Sequence, residues 1–237
     1  MRIATFNVHH GARPGRPTSN AAMASAVASL HADMIALQEV DHRVFRSWWA
    51  DQAGRSARRA GMTARFVPTR RLGPGGLYGH ALLVRGRTLD DFVLDLPGPG
   101  EARVALFSRV VIGETEMSVA STHLQNRRKG RPHTAPKQLE AILRELRCRP
   151  KPWCVLGDLN LRPDLAVPLL GEAGLAPVES APTYPAHAPQ LRIDWIALSG
   201  LSVAGSQVID TGVSDHRALA IDVADPSALA PACRSES

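Results

Sequence analysis

Short aliphatic runs that end in a polar residue recur along this chain, and they constrain its fold more than any other feature of the sequence. In the segment VLGDLNLRP, residues 155–163, such a run ends in Asp158 and Asn160. Alternate residues of an extended strand share a face, so these two side chains are expected to point the same way. A carboxylate buried alone is costly and needs a cation or a hydrogen-bond partner. A turn is the alternative explanation, because Asp and Asn commonly bind nearby backbone N–H groups.

The segments between these polar sites predict many strands with few helices between them. Apolar residues at helical spacing predict helices over residues 20–32, 45–62, 137–148 and 163–174. No internal repeat or linker-like change of composition divides the chain, so we expect one domain over residues 1–224 and a flexible tail over residues 225–237. The expected class is α/β, with an α/β sandwich in which two packed β-sheets are flanked by helices.

Six sites near the ends of predicted strands repeat the polar pattern. They carry Asn7 with His9, Glu39, His123, Asp158 with Asn160, Asp194, and Asp215 with His216. Each residue taken alone has a structural explanation as a turn residue, a helix cap or a satisfied core histidine. If the strands are neighbours, however, their polar ends converge, and four carboxylates close together repel unless a cation lies among them. An oxygen-rich ligand set without thiolates favours Mg²⁺ or Mn²⁺ over zinc.

Arginine carries most of the positive charge of the chain. There are 28 Lys and Arg residues against 22 Asp and Glu, a formal net charge of +6, and only three of the cations are lysines. Arginine suits bidentate phosphate contacts, although a compositional bias of the genome explains the excess equally well. Arg127, Arg128, Lys129 and Arg131 follow His123 directly and predict contact with a phosphate backbone, with a solvated loop as the alternative.

The sequence predicts a soluble cytoplasmic monomer. The N-terminal segment MRIATFNVHHG has the composition of a strand and a turn and lacks the apolar stretch of a secretory signal. No apolar run approaches the length of about 18 residues that suggests a membrane span. Three cysteines form neither a zinc pattern nor a disulfide framework, which fits a reducing compartment.

The polar motifs and their order resemble those of the endonuclease/exonuclease/phosphatase superfamily, which has the deoxyribonuclease-like fold. The matching motifs are TFNVHHG, LQEV, STHL, GDLNLRP, RIDWIALS and VSDHRALAIDV. They extend from residue 3 to about residue 223, so the resemblance covers nearly the whole chain. It implies a four-layer sandwich with the active site at one end of the two sheets, and metal-dependent hydrolysis of a phosphoester.

The resemblance also implies which residues hold the metal. Glu39 is the expected principal ligand, with Asn7 and Asp215 close to a Mg²⁺ or Mn²⁺ ion. His9 stands where several nuclease relatives carry Asp, which makes one metal the expectation rather than two. His80 stands in the segment YGHALLVRG, where many relatives carry Asn, and is expected to touch the substrate phosphate or to influence the choice of substrate.

The catalytic roles follow from the same resemblance. Asp158 and Asn160 orient or activate the attacking water. His216, paired with Asp194, is a general base or a phosphate ligand, and His123 binds the phosphate or assists the leaving group. The sequence leaves open whether Asp158 or His216 takes the proton of the water.

Three functions fit these features. The leading hypothesis is a divalent-metal-dependent phosphodiesterase, a nuclease acting on DNA or RNA. The alternative is a phosphatase or phosphodiesterase acting on a small phosphorylated molecule or a lipid head group. A non-catalytic nucleic-acid-binding module is a third class, and the intact set of polar residues argues against it.

Overall fold

The computed structural model of the protein describes residues 1–13, 15–127, 130 and 132–224. Its elements, in chain order, are β1 Arg2–Asn7, α1 Asn20–Ala28, β2 Met34–His42, α2 Gln52–Ala60, β3 Thr63–Arg71, β4 Leu77–Val84, β5 Arg87–Leu96, β6 Arg103–Ile112, β7 Thr115–His123, α3 Ala135–Leu146, β8 Trp153–Asp158, α4 Pro163–Glu172, β9 Ala176–Pro177, β10 Asp194–Ser199, β11 Val203–Ile209 and β12 Ala218–Val223. The predicted tail over residues 225–237 lies outside the described residues.

Two six-stranded sheets form the centre of the molecule. The strand order is β11-β12-β1-β2-β4-β3 in the first sheet and β5-β6-β7-β8-β10-β9 in the second. Only β1 with β2, and β7 with β8, run parallel among the strand pairs of the described residues. The first sheet packs face to face on the second, with β1 and β2 against β8.

Consecutive residues of a strand belong to different layers of the core, as the two-residue period of a strand requires. Ile3 of β1 packs between the two sheets, whereas Ala4 faces α1 and α2 on the outer side of the first sheet. In β8, Leu156 faces the inter-sheet core and Val155 packs under α3 and α4. Burying one such aliphatic side chain stabilises the fold by about 1.5–3 kcal/mol. The predicted four-layer α/β sandwich is therefore confirmed.

The helix predicted over residues 45–62 is wrong in its first half. Phe45–Ser47 form a single 3-10 turn, and α2 begins after Asp51, whose carboxylate accepts a backbone N–H from the first helical turn. Trp48 and Trp49 lie between them with φ of 55° and 56°, a left-handed conformation that does not continue an α-helix. Periodicity alone missed this interruption, because the apolar spacing continues through the break.

Among the described residues, no helix combines the length and the apolar character needed to cross a membrane. The cytoplasmic location and the monomeric state stay predictions.

Candidate active site

Three neighbouring strands of the second sheet place their polar ends side by side. In the registers of β7 with β8 and of β10 with β8, His123 and Asp194 lie on either side of Asp158. All three residues are buried. The Nε2 atom of His123 is 3.5 Å from Oδ2 of Asp158. The convergence expected from the sequence therefore takes the form of three adjacent strand ends.

His216 reaches this group from the loop before β12. Its Nδ1 atom is 2.9 Å from Oδ2 of Asp194, and its Nε2 atom is 3.9 Å from Oδ2 of Asp158. The Thr183 hydroxyl donates to the same Asp194 oxygen, and the His216 N–H donates to the Ser214 hydroxyl oxygen. Since the ring is bound on its Nδ1 side, its Nε2 atom is directed towards Asp158.

The protonation of this group follows from burial and charge. Burial opposes a charge on His216, but the attraction of Asp194 outweighs it and raises the pKa of His216 to about 10. Burial, together with repulsion from Asp194, raises the pKa of Asp158 to about 7. Burial and the Arg103 guanidinium hold the pKa of His123 well below its ordinary value. Near neutral pH, His216 is therefore a cation, His123 is neutral, and Asp158 can both release and accept a proton.

Asn7, at the end of β1, connects the two sheets at this point. Its Nδ2 atom donates to Oε1 of Glu39 at 3.1 Å and to Oδ2 of Asp158 at 3.0 Å. Its Oδ1 atom accepts the His9 N–H at 3.1 Å. In this arrangement Asn7 presents its amide nitrogen to the carboxylates, so it could offer its oxygen to a cation only after rotation of the amide.

A bulge in β2 directs Glu39 towards the site. The pairing of β2 with β4 shifts register between Leu37 and Val40, and Glu39 has φ of 60°. A bulge of this kind turns a side chain out of the regular alternation. Glu39 lines the cleft together with Asp215, whose Oδ1 atom is 3.5 Å from Nδ1 of His9.

Asn160 lies beyond the end of β8 rather than within it. Its φ of 50° is left-handed, so the extended geometry that would align it with Asp158 stops one residue earlier. Its backbone N–H donates to Oδ1 of Asp158 at 3.0 Å, and its Nδ2 atom donates to the Leu124 carbonyl at 3.0 Å. The turn considered as an alternative is therefore present, and it positions the Asp158 carboxylate in the site.

Most of these residues, among them His123, Asp158 and His216, form the floor of an open cleft of about 630 Å³, whereas Asn7 and Asp194 do not line it. Its walls include residues that the analysis of strand ends missed, among them Arg103, Arg162, His133 and Tyr184. Arg103 is buried, 3.8 Å from Glu101, and its Nε atom has no hydrogen-bond partner among the described residues. It stands at the beginning of an aliphatic strand, so a search of strand starts for basic residues would have found it.

The sequence profile of the Endonuclease/Exonuclease/phosphatase family matches residues 4–216. The chain belongs to the endonuclease/exonuclease/phosphatase family. The members of this family are divalent-metal-dependent phosphoesterases, so the chain is a hydrolase of phosphoesters. No curated protein sequence compared with the chain matches it.

Solved structures with this fold include proteins of different activity. The endonuclease/exonuclease/phosphatase from Beutenbergia cavernae has a TM-score of 0.78 and 22% identity, over 94% of this chain and 71% of that one. The human nocturnin catalytic domain with a bound sulfate has a TM-score of 0.73 and 19% identity, over 94% and 93%. A mannosyl-6-phosphatase from Bacteroides thetaiotaomicron has a TM-score of 0.70 and 13% identity, over 95% and 100%.

The residues of the site fit the divalent cation on which the family depends. One ligand atom from each of Asp158, Asp194 and His216 lies within 4.8 Å of the other two, although His216 could bind a metal only after losing its proton. Oδ1 of Asp194 is buried without a hydrogen-bond partner among the described residues. Glu39 and Asp215 add two carboxylates on the open side of the cleft. Burial is the larger cause of the raised pKa of Asp158, and a cation near these groups would offset both the burial of its charge and the repulsion from Asp194.

The residues predicted to bind substrate differ in their position relative to the cleft. Arg127 lines the cleft. Arg128, Lys129 and Arg131 lie outside the described residues. His80 is only 1% exposed and is not among the residues of the cleft wall, so the structure gives it no surface for contact with a substrate. Its Nε2 atom is buried without a hydrogen-bond partner among the described residues.

Burial of His80 predicts a loss of stability in acid. Burial and the Arg103 guanidinium lower the pKa of His80 to about 4, from an unfolded value of about 6.5. As pH falls from about 6.5 towards 4, the unfolded chain takes up the proton first, so the free energy of unfolding decreases. The contribution of His80 to this decrease is expected to be roughly 3 kcal/mol, at about 1.4 kcal/mol for each unit of pKa.

Urea unfolding at pH 7 and pH 4.5 tests this expectation. The difference in unfolding free energy between the two pH values should shrink by roughly 2 kcal/mol in His80→Gln, because Gln takes up no proton. The exposed His187 provides the matched control, and His187→Gln should keep the wild-type difference. An unchanged difference in His80→Gln would contradict a buried, neutral His80.

Proposed function

We propose that the protein is a divalent-metal-dependent phosphodiester hydrolase that acts on nucleic acid. The observation that carries the proposal is the arrangement of Asp158 and His216 on the floor of a cleft bordered by arginine. Arg127 and Arg162 lie on the open walls of this cleft, and Arg103 lies deeper. Such a cleft matches the repeated negative charge of a polynucleotide, which these guanidinium groups can bind in a bidentate manner.

Glu39 and Asp215 are the residues proposed to hold the cation, with Asn7 as a further ligand after rotation of its amide. The bound ion would be Mg²⁺ or Mn²⁺, and it would stabilise the negative charge that develops on the phosphoryl oxygens. Before any such rotation, Asn7 donates to both Glu39 and Asp158 and so sets the distance between the metal-binding and the proton-accepting carboxylates.

The other side chains on the cleft floor have separate proposed roles in the reaction. Asp158, with a pKa of about 7, is the proposed general base that takes the proton of the attacking water. Asn160 holds the other oxygen of Asp158 in place through its N–H. His216, a cation held by Asp194, is assigned to the phosphoryl oxygens, and the neutral His123 to the phosphate or the leaving group. On these grounds we favour Asp158 over His216 as the base.

A panel of substrates tests the proposal. Plasmid DNA, RNA, a small artificial phosphodiester, inositol phosphates and a phosphorylated sugar are each incubated with Mg²⁺, Mn²⁺ or EDTA. The expected result is cleavage of a polynucleotide and of the small diester with either cation. Release of inorganic phosphate from monoesters alone would make the protein a phosphatase. A complete lack of turnover on every substrate would leave the non-catalytic nucleic-acid-binding module as the remaining hypothesis.

Replacing Arg162 by Gln should weaken the salt dependence of nucleic-acid binding. Arg162 is exposed on the cleft wall, where it can contact one phosphate. Loss of one contact reduces the magnitude of the slope of log affinity against log salt by about 1 and weakens binding to every sequence alike. Fluorescence anisotropy over a range of salt concentrations measures the slope. Arg147, exposed and away from the cleft, is the matched control, and an equal slope in both variants would argue against a polynucleotide track at Arg162.

A second candidate function is hydrolysis of a lipid head group, and one observation favours it. Phe45, Trp48 and Trp49 are 75%, 74% and 54% exposed, a concentration of aromatic surface that suits insertion into a membrane interface. The adjacent Arg46 lies over the ring of Tyr78 at 5.6 Å, and Tyr78 lines the cleft. If the protein hydrolyses head groups of phospholipid vesicles and leaves polynucleotides intact, this function replaces the nuclease.

A further inference from the structure

Two histidines and a glutamate form a second cluster of metal-ligating side chains at the edge of the site. His9, His10 and Glu39 each offer one ligand atom, and these atoms lie within 4.8 Å of one another. The two imidazole rings meet edge to face, with centroids 4.5 Å apart. The cluster therefore places two nitrogen ligands beside the carboxylate that is proposed to hold the cation.

The backbone is held in an unfavourable conformation to bring these side chains together. His9, His10 and Glu39 have φ of 41°, 44° and 60°, and Gly11 follows with 74°. A left-handed residue other than Gly costs about 1–2 kcal/mol, and two consecutive ones are uncommon. The turn is fixed by Gly11 N–H donating to the Val8 carbonyl at 2.8 Å. The side chain of Gln52 also donates to the His10 carbonyl at 2.8 Å.

Hydrogen bonding leaves ring nitrogens available for a ligand. Nδ1 of His9 is 2.8 Å from the Ala12 carbonyl oxygen, so Nδ1 carries the proton and Nε2 keeps its lone pair. A backbone carbonyl that accepts the N–H of one ring nitrogen commonly orients an imidazole whose other nitrogen binds a metal. Nδ1 of His10 is buried and has no hydrogen-bond partner among the described residues.

We propose that His9 and His10 join Glu39 in binding the cation, so that this site selects a divalent first-row transition metal over Mg²⁺. Mg²⁺ prefers an all-oxygen shell, whereas imidazole strengthens the binding of transition metals. This inference rests on the proposed metal-dependent function and changes its expected ion. The sequence predicts an oxygen-rich ligand set of Asn7, Glu39 and Asp215, to which His9 and His10 add nitrogen ligands.

Pulsed electron paramagnetic resonance of the metal-stripped protein, reloaded with Mn²⁺, tests the proposal without substrate. The spectrum should contain ¹⁴N modulation from directly bound imidazole. His9→Gln and His10→Gln should each reduce it, and the double variant should abolish it. Loss of the two ligands should also weaken Mn²⁺ binding by roughly 10-fold to 100-fold, as measured by competition with Mg²⁺, whose own affinity should change little.

His133→Gln is the matched control, since His133 lines the cleft outside the cluster and its loss should leave the nitrogen signal intact. Absence of ¹⁴N modulation in the wild-type protein overturns the proposal, whether or not the variants fold. A signal that persists in the double variant and disappears in His216→Gln also overturns it, because the ion then lies at Asp158, Asp194 and His216. The substrate panel measures hydrolysis, whereas the resonance experiment measures metal binding without substrate. Failure of the hydrolase proposal is therefore distinguishable from failure of the proposal that His9 and His10 bind the metal.

Discussion

Asp158→Asn is expected to lower the rate of phosphoester hydrolysis by about 100-fold to 10,000-fold, the usual effect of losing a proton-transfer group. Asn has nearly the same shape as Asp, but it cannot accept the proton of the attacking water. Steady-state kinetics on the small artificial phosphodiester measure the effect without the contribution of polynucleotide binding. Because Asp158 and His216 act on one transition state, Asp158→Asn combined with His216→Ala should cost much less than the product of the two single effects.

Asp164 provides the matched control for Asp158. It is a carboxylate of the same cleft, but it is exposed in the first turn of α4 and forms no hydrogen bond or ion pair with the floor residues in the described part of the chain. Asp164→Asn should keep nearly the wild-type rate. Circular dichroism should report an intact fold for both variants, because the amide oxygen at position 158 can still accept the Asn160 N–H and only the hydrogen bond from Asn7 is lost. A folded Asp158→Asn protein with a near-normal rate would falsify the role of Asp158 as base.

Exhaustive chelation with EDTA is expected to abolish hydrolysis, and Mn²⁺ or Mg²⁺ should restore it. Four carboxylates meet at the site, from Glu39, Asp158, Asp194 and Asp215, and without a cation their charges oppose binding of an anionic phosphoester. Rates measured during titration of the chelated protein with each cation provide the test. Mn²⁺ should restore activity at lower concentration than Mg²⁺ if His9 and His10 contribute nitrogen ligands.

EDTA saturated with Mn²⁺ before it is added is the control, because EDTA binds Mn²⁺ more tightly than Mg²⁺, so the saturated chelator withdraws neither ion and should leave the rate unchanged. Binding of the cation to the folded chain should also raise the temperature of unfolding, by linkage. Full activity of a protein shown by elemental analysis to be free of metal would remove the metal from the reaction.

Local patterns in the sequence were sufficient to predict the class of fold and the elements that carry the site. Strands such as β1 and β8 were predictable because burial of both faces leaves a short continuous apolar run in the sequence. The polar residues that follow these strands were visible for the same reason, since each interrupts an aliphatic run. The order of the motifs then indicated the family, which the match over residues 4–216 confirms.

Contacts between distant parts of the chain decided the rest. Asn7 donates to Asp158, 151 positions away, and no local pattern encodes that bridge between two sheets. Burial of His80 and placement of Arg103 on the cleft wall depend on the packing of one sheet on the other. The protonation of His216 likewise depends on Asp194, which belongs to a different strand.

Left-handed backbone conformations account for the remaining differences between expectation and structure. The sequence correctly placed a strand before Asp158, but only the folded chain turns Asn160 out of that strand at φ of 50°. Trp48 and Trp49 interrupt a helix that their apolar character favours. The sequence by itself therefore determined which residues become buried strands and which polar residues end them, because burial leaves a local apolar run. The tertiary structure alone decided how those polar ends meet, because long-range hydrogen bonds and charge set their orientation and protonation.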